Sequence, residues 1–315
     1  MSLVVKKIKG RGYYYSFLSY YLLDRSKNFS KYIGIKKPSS GELLSAEELF
    51  RDELIIRISG KNYSSEFLSK DDVIKTLLFS RLFAEKYHKL KSINRRKYEV
   101  DNTVSFVLTT LTTEEVDVEL TDVENALSKT SRLTEKEQIS RNMLEAVDYI
   151  KEQHALSREY LLTLHKRMMA TFKDKTPGKF RERQVYLKRK GEHSIRGTEI
   201  AYRPPEYTKI GKLLDGFISW CNSSRLSPIE KAAMAHYNLY RIHPFLDGNK
   251  RICRLIFNKI LIEEGFPLIN ISREKEAYFD ALATSVEKDA PDIFVLFCLK
   301  QYYAQTKEFL NSHMM

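Results

Sequence analysis

Cysteine is scarce in this chain of 315 residues, and its three cysteines stand far apart at Cys221, Cys253 and Cys298. Three scattered cysteines exclude a disulfide framework, and neither they nor the histidines have the close spacing of a zinc site. No apolar run approaches the length of a membrane span, and residues 1–9 lack the apolar stretch of a signal peptide. These absences predict a protein of the reducing cytoplasm with no membrane partner.

Basic residues are concentrated at the beginning of the chain. Residues 1–100 contain 21 Lys and Arg against 11 Asp and Glu, and therefore carry +10 of the total net charge of +12. Aromatic-rich segments followed by helix signals predict a small basic α+β domain over residues 1–100. The predicted elements are strands at 4–9, 13–21 and 31–34, a turn at 24–28, a break at 38–41, and helices at 45–55 and 69–90.

Two interpretations of this basic region stay open. Interleaved aromatic and cationic side chains suit a nucleic acid, on which the rings stack and whose phosphates the cations neutralise. The alternative, which we favour, is a small sheet with solvated lysines and a tyrosine-rich core. No helix-turn-helix or other specific nucleic-acid motif is present in the sequence.

The segment HPFLDGNKRICR, residues 243–254, combines a histidine, a carboxylate, a glycine turn and three cations. The run before it begins with Ser227 and Pro228, which are typical of a helix start, and has helical apolar spacing. The run after it, residues 250–264, ends at Gly265. Residues 243–249 are therefore predicted to form an elbow between two helices.

The charges of this elbow predict a bound anion. Lys250 and Arg251 stand in the first turn of the second helix, where cations add to the positive end of the helix dipole. Exposed backbone N–H groups together with Arg251 and Arg254 would cradle phosphate groups. Asp247 would repel phosphates unless a cation lay between them, which favours Mg²⁺ on Asp247. His243 is placed to accept a proton from an attacking hydroxyl.

The segment closely resembles the signature loop of Fic-domain proteins, HxFx(D/E)GN(G/K)RxxR. The resemblance extends to Leu164-His165-Lys166 and residues 178–181 upstream and to residues 275–282 downstream, so it covers roughly residues 100 to 300. The positions that match the loop pattern are His243, Phe245, Asp247, Gly248, Asn249, Arg251 and Arg254.

This resemblance implies a fold and an activity. The fold would be mainly α, with a Fic helical core and a β-hairpin flap over residues 101–305, preceded by the basic α+β domain and followed by a tail at 306–315. The activity would be transfer of AMP from ATP to a Ser, Thr or Tyr hydroxyl of a target protein, with release of pyrophosphate. The implied roles are general base for His243, Mg²⁺ ligand for Asp247, phosphate cradle for Gly248 and Asn249, stabilisation of the leaving pyrophosphate for Arg251, and γ-phosphate binding for Arg254.

Lys250 departs from the glycine that most AMP-transferring members have at this position, and it places a long cation beside the phosphate path. A lysine also occurs there in the relative Doc, which transfers the γ-phosphate instead. Gly248 and Arg254 favour AMP transfer, so a Doc-type phosphotransferase is the second interpretation. A nucleic-acid-binding regulator with a weakly active Fic domain is the third.

Many family members also carry an inhibitory helix with the pattern (S/T)xxxE(G/N), whose glutamate pairs with the second arginine of the loop. The best match identified is Thr103 to Leu108, in which Val107 stands at the glutamate position. A weaker match, Ser131 to Lys136, would use Glu135, which is better interpreted as a first-turn residue of a helix at 137–151. With Val107 in this position, the intramolecular brake is expected to be absent.

Val185, Tyr186 and Leu187 belong to a segment, residues 183–188, that alternates like a strand, with a turn at Gly191 before Ile195. By resemblance this is the flap that would hold the target by strand addition. Lys188, Arg189, Lys190 and Arg196 would make its face basic. The candidate partners are a target protein with a modifiable hydroxyl, a nucleic acid at the N-terminal region and a second copy of the chain.

Overall fold

The fold is mainly α-helical, as predicted, in a computed structural model that describes residues 2–130, 132–188 and 200–312. By internal contacts the chain divides into two units: the described parts of 1–88, 225–227 and 303–315, and those of 89–224 and 228–302. Within the described residues, no helix combines the length and apolar character needed to cross a membrane. The helices are α1 (Ser40–Ser59), α2 (Lys70–Lys89), α3 (Ser92–Thr113), α4 (Leu120–Ser128), α5 (Glu135–Lys151), α6 (Arg158–Met168), α7 (Ile210–Ser223), α8 (Pro228–Ile242), α9 (Asn249–Glu263), α10 (Lys275–Glu287) and α11 (Pro291–Ser312).

The first unit contains an antiparallel sheet in the order β1-β2-β3, formed by Ser2–Ile8, Arg11–Leu22 and Arg25–Gly34. The three predicted strands are confirmed, but the second turn is tighter than predicted. Leu23 adopts a left-handed φ of 57°, so the chain reverses at residues 23–24 and the predicted turn at 24–28 is mostly strand.

Helix α1 begins earlier than the predicted residue 45. Ser39 and Glu42 form a capping box, in which the Ser39 hydroxyl accepts from the Glu42 N–H and the Glu42 carboxylate accepts from the Ser39 N–H. These bonds satisfy backbone donors that the first helical turn otherwise leaves unpaired. The helix therefore starts directly after Ser39, and it ends at Gly60 in the left-handed conformation.

Helices α8 and α9 are packed together in the second unit, and they are joined by the elbow that the sequence predicts. Nearly every residue of α9 from Arg251 to Leu261 is buried. Gly248 caps the start of α9 with a φ of 75°. A Cβ atom at this position would lie 2.9 Å from the Sδ atom of Met169, so both conformation and space require glycine.

The predicted hairpin is present, but its strands are shorter than expected. β4 (Leu187–Lys188) pairs antiparallel with β5 (Ile200–Tyr202). Val185 and Tyr186 precede β4 in irregular backbone, so the strand predicted at 183–188 covers only its last two residues. The predicted turn and basic face at Arg189, Lys190, Gly191, Ile195 and Arg196 lie outside the described residues.

Candidate functional site

The elbow between α8 and α9 is closed by the side chain of Asn249. Its amide oxygen accepts from the Phe245 N–H at 2.9 Å, and its amide nitrogen donates to the Phe245 carbonyl at 2.9 Å. The backbone N–H of His243 still donates to Leu239 as in a helix, at 3.0 Å, while its φ of 50° turns the chain away. These bonds hold the loop as a rigid turn, with both ends of the Asn249 amide bound to the backbone of Phe245.

His165 of α6 packs against the elbow. Its ring stacks on Phe245 with centroids 3.8 Å apart and an interplanar angle of 6°. The Gly178 N–H donates to Nδ1 at 2.9 Å, so Nδ1 is unprotonated and Nε2–H donates to the Asp247 carbonyl at 3.1 Å. Burial lowers the pKa of His165 to about 4, which keeps this neutral tautomer at pH 7.

The His243 side chain is held in the tautomer that a general base needs. Its Nδ1 lies 3.3 Å from the Tyr240 carbonyl, which only accepts, so Nδ1 carries the proton and Nε2 is unprotonated. The pKa of His243 is lowered to about 4, mainly by burial; the Tyr240 carbonyl opposes this shift, and the nearby Arg181 and Lys250 cations act in the same direction as burial. His243 is therefore neutral at pH 7 and able to accept a proton at Nε2.

Arg181 joins the elbow to the segments that flank the hairpin. Its buried guanidinium donates to three backbone carbonyls, those of His243 at 2.8 Å, Arg183 at 3.0 Å and Pro205 at 2.5 Å. The backbone N–H of Arg181 donates to the Pro244 carbonyl at 2.9 Å. One side chain thus joins the residues before β4, the residues after β5 and the elbow.

Arg251 presents unused hydrogen-bond donors to the site. Arg251 is 3% exposed. Of its guanidinium nitrogens only Nη2 donates a hydrogen bond, to the Asp247 carboxylate at 3.3 Å. Its buried Nε and Nη1 atoms have no hydrogen-bond partner among the described residues. Buried donors without partners are costly, so these two N–H groups point to an anionic ligand.

Arg254 is fully buried, and the end of α3 occupies its Nη2, while its Nε and Nη1 have no hydrogen-bond partner among the described residues. Its Nη2 donates to the Thr110 carbonyl at 3.0 Å and to Oε1 of Glu114 at 2.9 Å. Burial alone would raise the pKa of Glu114, but the cations of Arg254 and Lys250 outweigh that effect and lower it. Glu114 is consequently a charged carboxylate in an almost closed environment.

The expectation that Val107 stands at the position of the arginine's partner, and that no carboxylate pairs with Arg254, is wrong. Val107 is buried in α3 two turns before Glu114, too early to meet Arg254. The segment Thr110 to Glu114 fits (S/T)xxxE, but Glu115 replaces the expected Gly or Asn. Glu115 nevertheless adopts a φ of 60°, the left-handed conformation for which Gly and Asn are usually selected. Because Glu115 stands where the pattern has Gly or Asn, the motif could not be recognised from the sequence.

Glu135 is an exposed residue of the first turn of α5, as predicted, and Thr134 caps that helix together with Glu137. It is therefore a helix-start residue with no contact to the loop arginines. Ser131, the first residue of that weaker match, lies outside the described residues.

Lys250 is also engaged by Glu114. Its Nζ lies 3.0 Å from Oε2 of Glu114 and 4.5 Å from the ring centroid of Phe279. The two oxygens of one carboxylate are therefore held by two different cations, Arg254 and Lys250. Lys250, which stands where most AMP-transferring members have glycine, thus contacts Glu114 at the end of the helix that covers Arg254.

Asp247 is the one carboxylate of the elbow, and its side chain is partly exposed. Its Oδ1 accepts from the Gly248 N–H at 2.6 Å, while Oδ2 has no hydrogen bond within the described part of the chain. Mg²⁺ usually binds one or two carboxylates together with phosphate oxygens, so a single half-exposed carboxylate beside an anion site fits it. Three or more clustered His, Cys, Asp or Glu side chains do not occur within the described ranges.

The remaining predicted residues lie on the hairpin side of the elbow. Tyr186 is exposed and its ring packs against the Arg203 guanidinium at 5.2 Å, while Val185 and Leu187 are partly exposed. The side chain of Gln184 donates to the Pro204 carbonyl at 2.8 Å and so fastens the start of the hairpin to its end. The loop residues that lie together around the elbow are His243, Asp247, Gly248, Asn249, Lys250, Arg251 and Arg254.

Residues 155–261 match the family model described as the Fic/DOC family. Over 133 residues, 41% of this chain, the sequence is 35% identical to a protein adenylyltransferase Fic of Aedes aegypti. Over 134 residues, 42% of this chain, it is 37% identical to protein adenylyltransferase fic-1 of Caenorhabditis briggsae. The aligned segment spans 24% of the length of each of these two relatives.

Solved Fic structures have the same fold at low sequence identity. A Fic-domain-containing signalling protein from Bacteroides thetaiotaomicron superposes with a TM-score of 0.63 at 18% identity, covering 75% of this chain and 96% of its own. A segment of Fic-1 from C. elegans gives a TM-score of 0.62 at 20% identity, covering 88% of this chain and 78% of its own. Residues 155–261 of this chain therefore match the Fic/DOC family model, and the chain has the fold of solved Fic structures.

Proposed function

We propose that this protein is an adenylyltransferase that transfers AMP from ATP to a hydroxyl group of a target protein. The observation that carries the proposal is the pairing, within one elbow, of a neutral His243 and a buried Arg251 with two unpartnered N–H groups. The first group accepts a proton and the second binds negative charge, which is what nucleotidyl transfer requires. The names of the relatives that match over this region support the same activity.

In the proposed reaction, the target oxygen forms a bond to the α-phosphorus of ATP while the bond from that phosphorus to its bridging oxygen breaks. The hydroxyl proton passes to Nε2 of His243, and pyrophosphate leaves. Arg251, through its unpartnered Nε–H and Nη1–H, stabilises the charge that accumulates on the leaving group. The N–H groups at the start of α9 add their partial positive charge at Gly248 and Asn249. Arg254 binds the γ-phosphate once Glu114 is displaced.

Asp247 is the residue that would hold Mg²⁺. The ion would neutralise phosphate charge and orient the polyphosphate, which the protein itself then contacts through Arg251. Because Asp247 accepts bonds from Gly248 and Arg251 through Oδ1 alone, its second oxygen is directed by the turn and available to a cation.

The target segment is proposed to bind beside the hairpin. Arg181 fixes the residues before β4 and after β5 to the elbow, so a chain lying along Val185, Tyr186 and Leu187 would be positioned relative to His243. Positioning of this kind contributes strongly to rate because the attacking hydroxyl is held near its phosphorus.

A Doc-type phosphotransferase is the second candidate, and Lys250 is the feature that favours it. A lysine at this position adds a cation that could support the reversed ATP orientation. In this structure, however, its ammonium group is bound to Glu114. Phosphate transfer would therefore also require Glu114 to move.

The test is transfer of label to protein from ATP labelled on the α-phosphate and, separately, on the γ-phosphate, with Mg²⁺ present. The Glu114→Ala background is used so that Arg254 is not occupied. Label from the α position that is lost in His243→Ala, and kept in the exposed histidine control His88→Ala, is expected. Label from the γ position alone would move the protein to the phosphotransferase class. Full α transfer by His243→Ala would refute the role of His243.

A further inference from the structure

The sheet of the first unit has two chemically different faces. Along β2 the even-numbered side chains from residue 16 are buried against the unit's own core, and Phe29 of β3 joins them. The odd-numbered side chains alternate to the opposite face, as strand geometry requires. The buried set consists of Ser16, Leu18, Tyr20 and Leu22.

Aromatic rings are collected on the face that the core does not use. Tyr15 of β2 stands opposite Tyr32 of β3, with ring centroids 5.4 Å apart, and Tyr13 lies 6.1 Å from Tyr32. Lys6 of β1 pairs with Tyr13 and places its Nζ 4.7 Å from the centroid of the Tyr15 ring. We call Lys6, Tyr13, Tyr15, Phe17 and Tyr32 the tyrosine face.

The rings of the tyrosine face are accessible. Tyr32 is 49% exposed, and Tyr13, Tyr15 and Phe17 are partly exposed. A tyrosine-rich core, which the sequence favoured, therefore describes Tyr20 but not these three tyrosines. Burial in a hydrophobic core therefore does not account for the aromatic residues of the tyrosine face.

Positive charge surrounds this face almost without compensation. Residues 1–37 contain nine Lys and Arg, and Asp24 is their only acidic residue. Lys31 forms a salt bridge with Glu53, while the other eight cations form none with any residue that the structure describes. The remaining eight cations are Lys6, Lys7, Lys9, Arg11, Arg25, Lys27, Lys36 and Lys37.

We propose that the tyrosine face binds single-stranded nucleic acid. Unpaired cations around a sheet attract a polyanion, and exposed rings on adjacent strands provide surfaces on which unpaired bases stack. A duplex hides its bases within the stack and offers these rings nothing to contact. A lipid surface is usually bound by an amphipathic helix with Trp, Phe or Leu on its apolar side, whereas the tyrosine face belongs to a sheet. This binding is independent of the transferase activity proposed above.

The experiment is fluorescence anisotropy of the full chain with a labelled 12-nucleotide oligouridylate, repeated with oligothymidylate and with a 12-base-pair duplex. Tyr32→Ala is expected to weaken single-strand binding at least about 5-fold, because one stacked base is lost. Tyr32→Phe keeps the ring and is expected to retain binding. Tyr207→Ala is the matched control, since Tyr207 is a similarly exposed tyrosine of the second unit.

A second set of variants tests the contribution of the cations to nucleic-acid binding. Lys6→Gln with Arg11→Gln is compared with Lys288→Gln and Lys300→Gln, two exposed lysines of the second unit. The first pair removes two cations and is expected to reduce the slope of log affinity against log salt by about 1.4, and the control pair is expected to leave it unchanged. This series does not depend on how well Tyr32→Ala folds.

Any of the following results would overturn the proposal. One is absence of single-strand binding at 50 mM salt. Another is equal affinity for the duplex, or equal losses in Tyr32→Ala and Tyr207→Ala. The third is Tyr32-dependent binding to phosphatidylserine vesicles without binding to either oligonucleotide, which would make the tyrosine face a membrane surface.

Discussion

Replacement of Glu114 by alanine is expected to raise transferase activity while lowering the stability of the protein. In the structure one carboxylate occupies both Arg254 and Lys250, at 2.9 Å and 3.0 Å. In the proposed reaction, ATP recruits Arg254 only after that carboxylate has been displaced. Removing the carboxylate removes the competition, so the arginine becomes available to the γ-phosphate.

The size of the effect follows from the bonds that are broken. A hydrogen bond to a charged group contributes about 1.5–3 kcal/mol, and the Lys250 contact is discounted because that side chain is partly exposed and screened by solvent. Taking about 2 kcal/mol for the buried Arg254 contact alone, Glu114→Ala should raise transfer at limiting ATP about 30-fold. The same change leaves Arg254 buried without its carboxylate, which costs about 3 kcal/mol of folding stability.

The assay is incorporation of α-labelled phosphate into protein, measured beside thermal unfolding with and without Mg-ATP. Glu124→Ala is the control, because Glu124 is an exposed glutamate of the neighbouring helix. Glu114→Ala should unfold at lower temperature than the wild type and regain more stability from Mg-ATP. A folded Glu114→Ala protein that is no more active than the wild type, and that binds ATP no more tightly, would refute the reasoning.

Three further predictions follow from the same contacts. Lys250→Gln removes the second cation from Glu114 and should raise α-phosphate transfer about 2- to 5-fold, an increase that disappears in the Glu114→Ala background. Burial lowers the pKa of His243 and His165 from 6.5 to about 4 in the folded protein, so the unfolded chain binds more protons between these values. The contribution of each histidine to the free energy of unfolding is thus fully present above pH 6.5 and should fall as pH drops toward 4, by about 1.4 kcal/mol per pH unit. Urea unfolding at pH 7.5, 6.5 and 5.5 tests this, and a flat profile would contradict it. Gly248→Ala should cost about 1–3 kcal/mol in the same assay and more than Gly10→Ala, which shares the positive φ but has nothing within 4 Å of its Cβ position.

Strong local signals made the helices around the elbow predictable. The sequence predicted helices over 228–242 and 250–264, and the structure has Pro228–Ile242 and Asn249–Glu263. Proline at the first helical position, helical apolar spacing and a terminal glycine act within a few residues, so they can be read without tertiary information.

The partner of Arg254 was not predictable in this way. Thr110 and Glu114 lie about 140 residues before it, and the pattern that links them was interrupted by Glu115. Only the folded chain shows that Glu115 adopts the backbone conformation of the missing glycine. The strand predicted at 183–188 was too long for a related reason, since strand pairing, here limited to Leu187 and Lys188, depends on register between distant segments.

Glu114 is the C-cap residue of α3, so its ion pair with Arg254 lies at the end of a helix. The last turn of a helix has carbonyl groups without intrahelical donors, and helix ends open at much lower free energy than a whole domain. Fraying of about one turn would move the carboxylate away from Arg254 while Val107 and Leu111 stay packed in the core. The restraint is therefore a local fraying equilibrium, and warming should loosen it well before the protein melts.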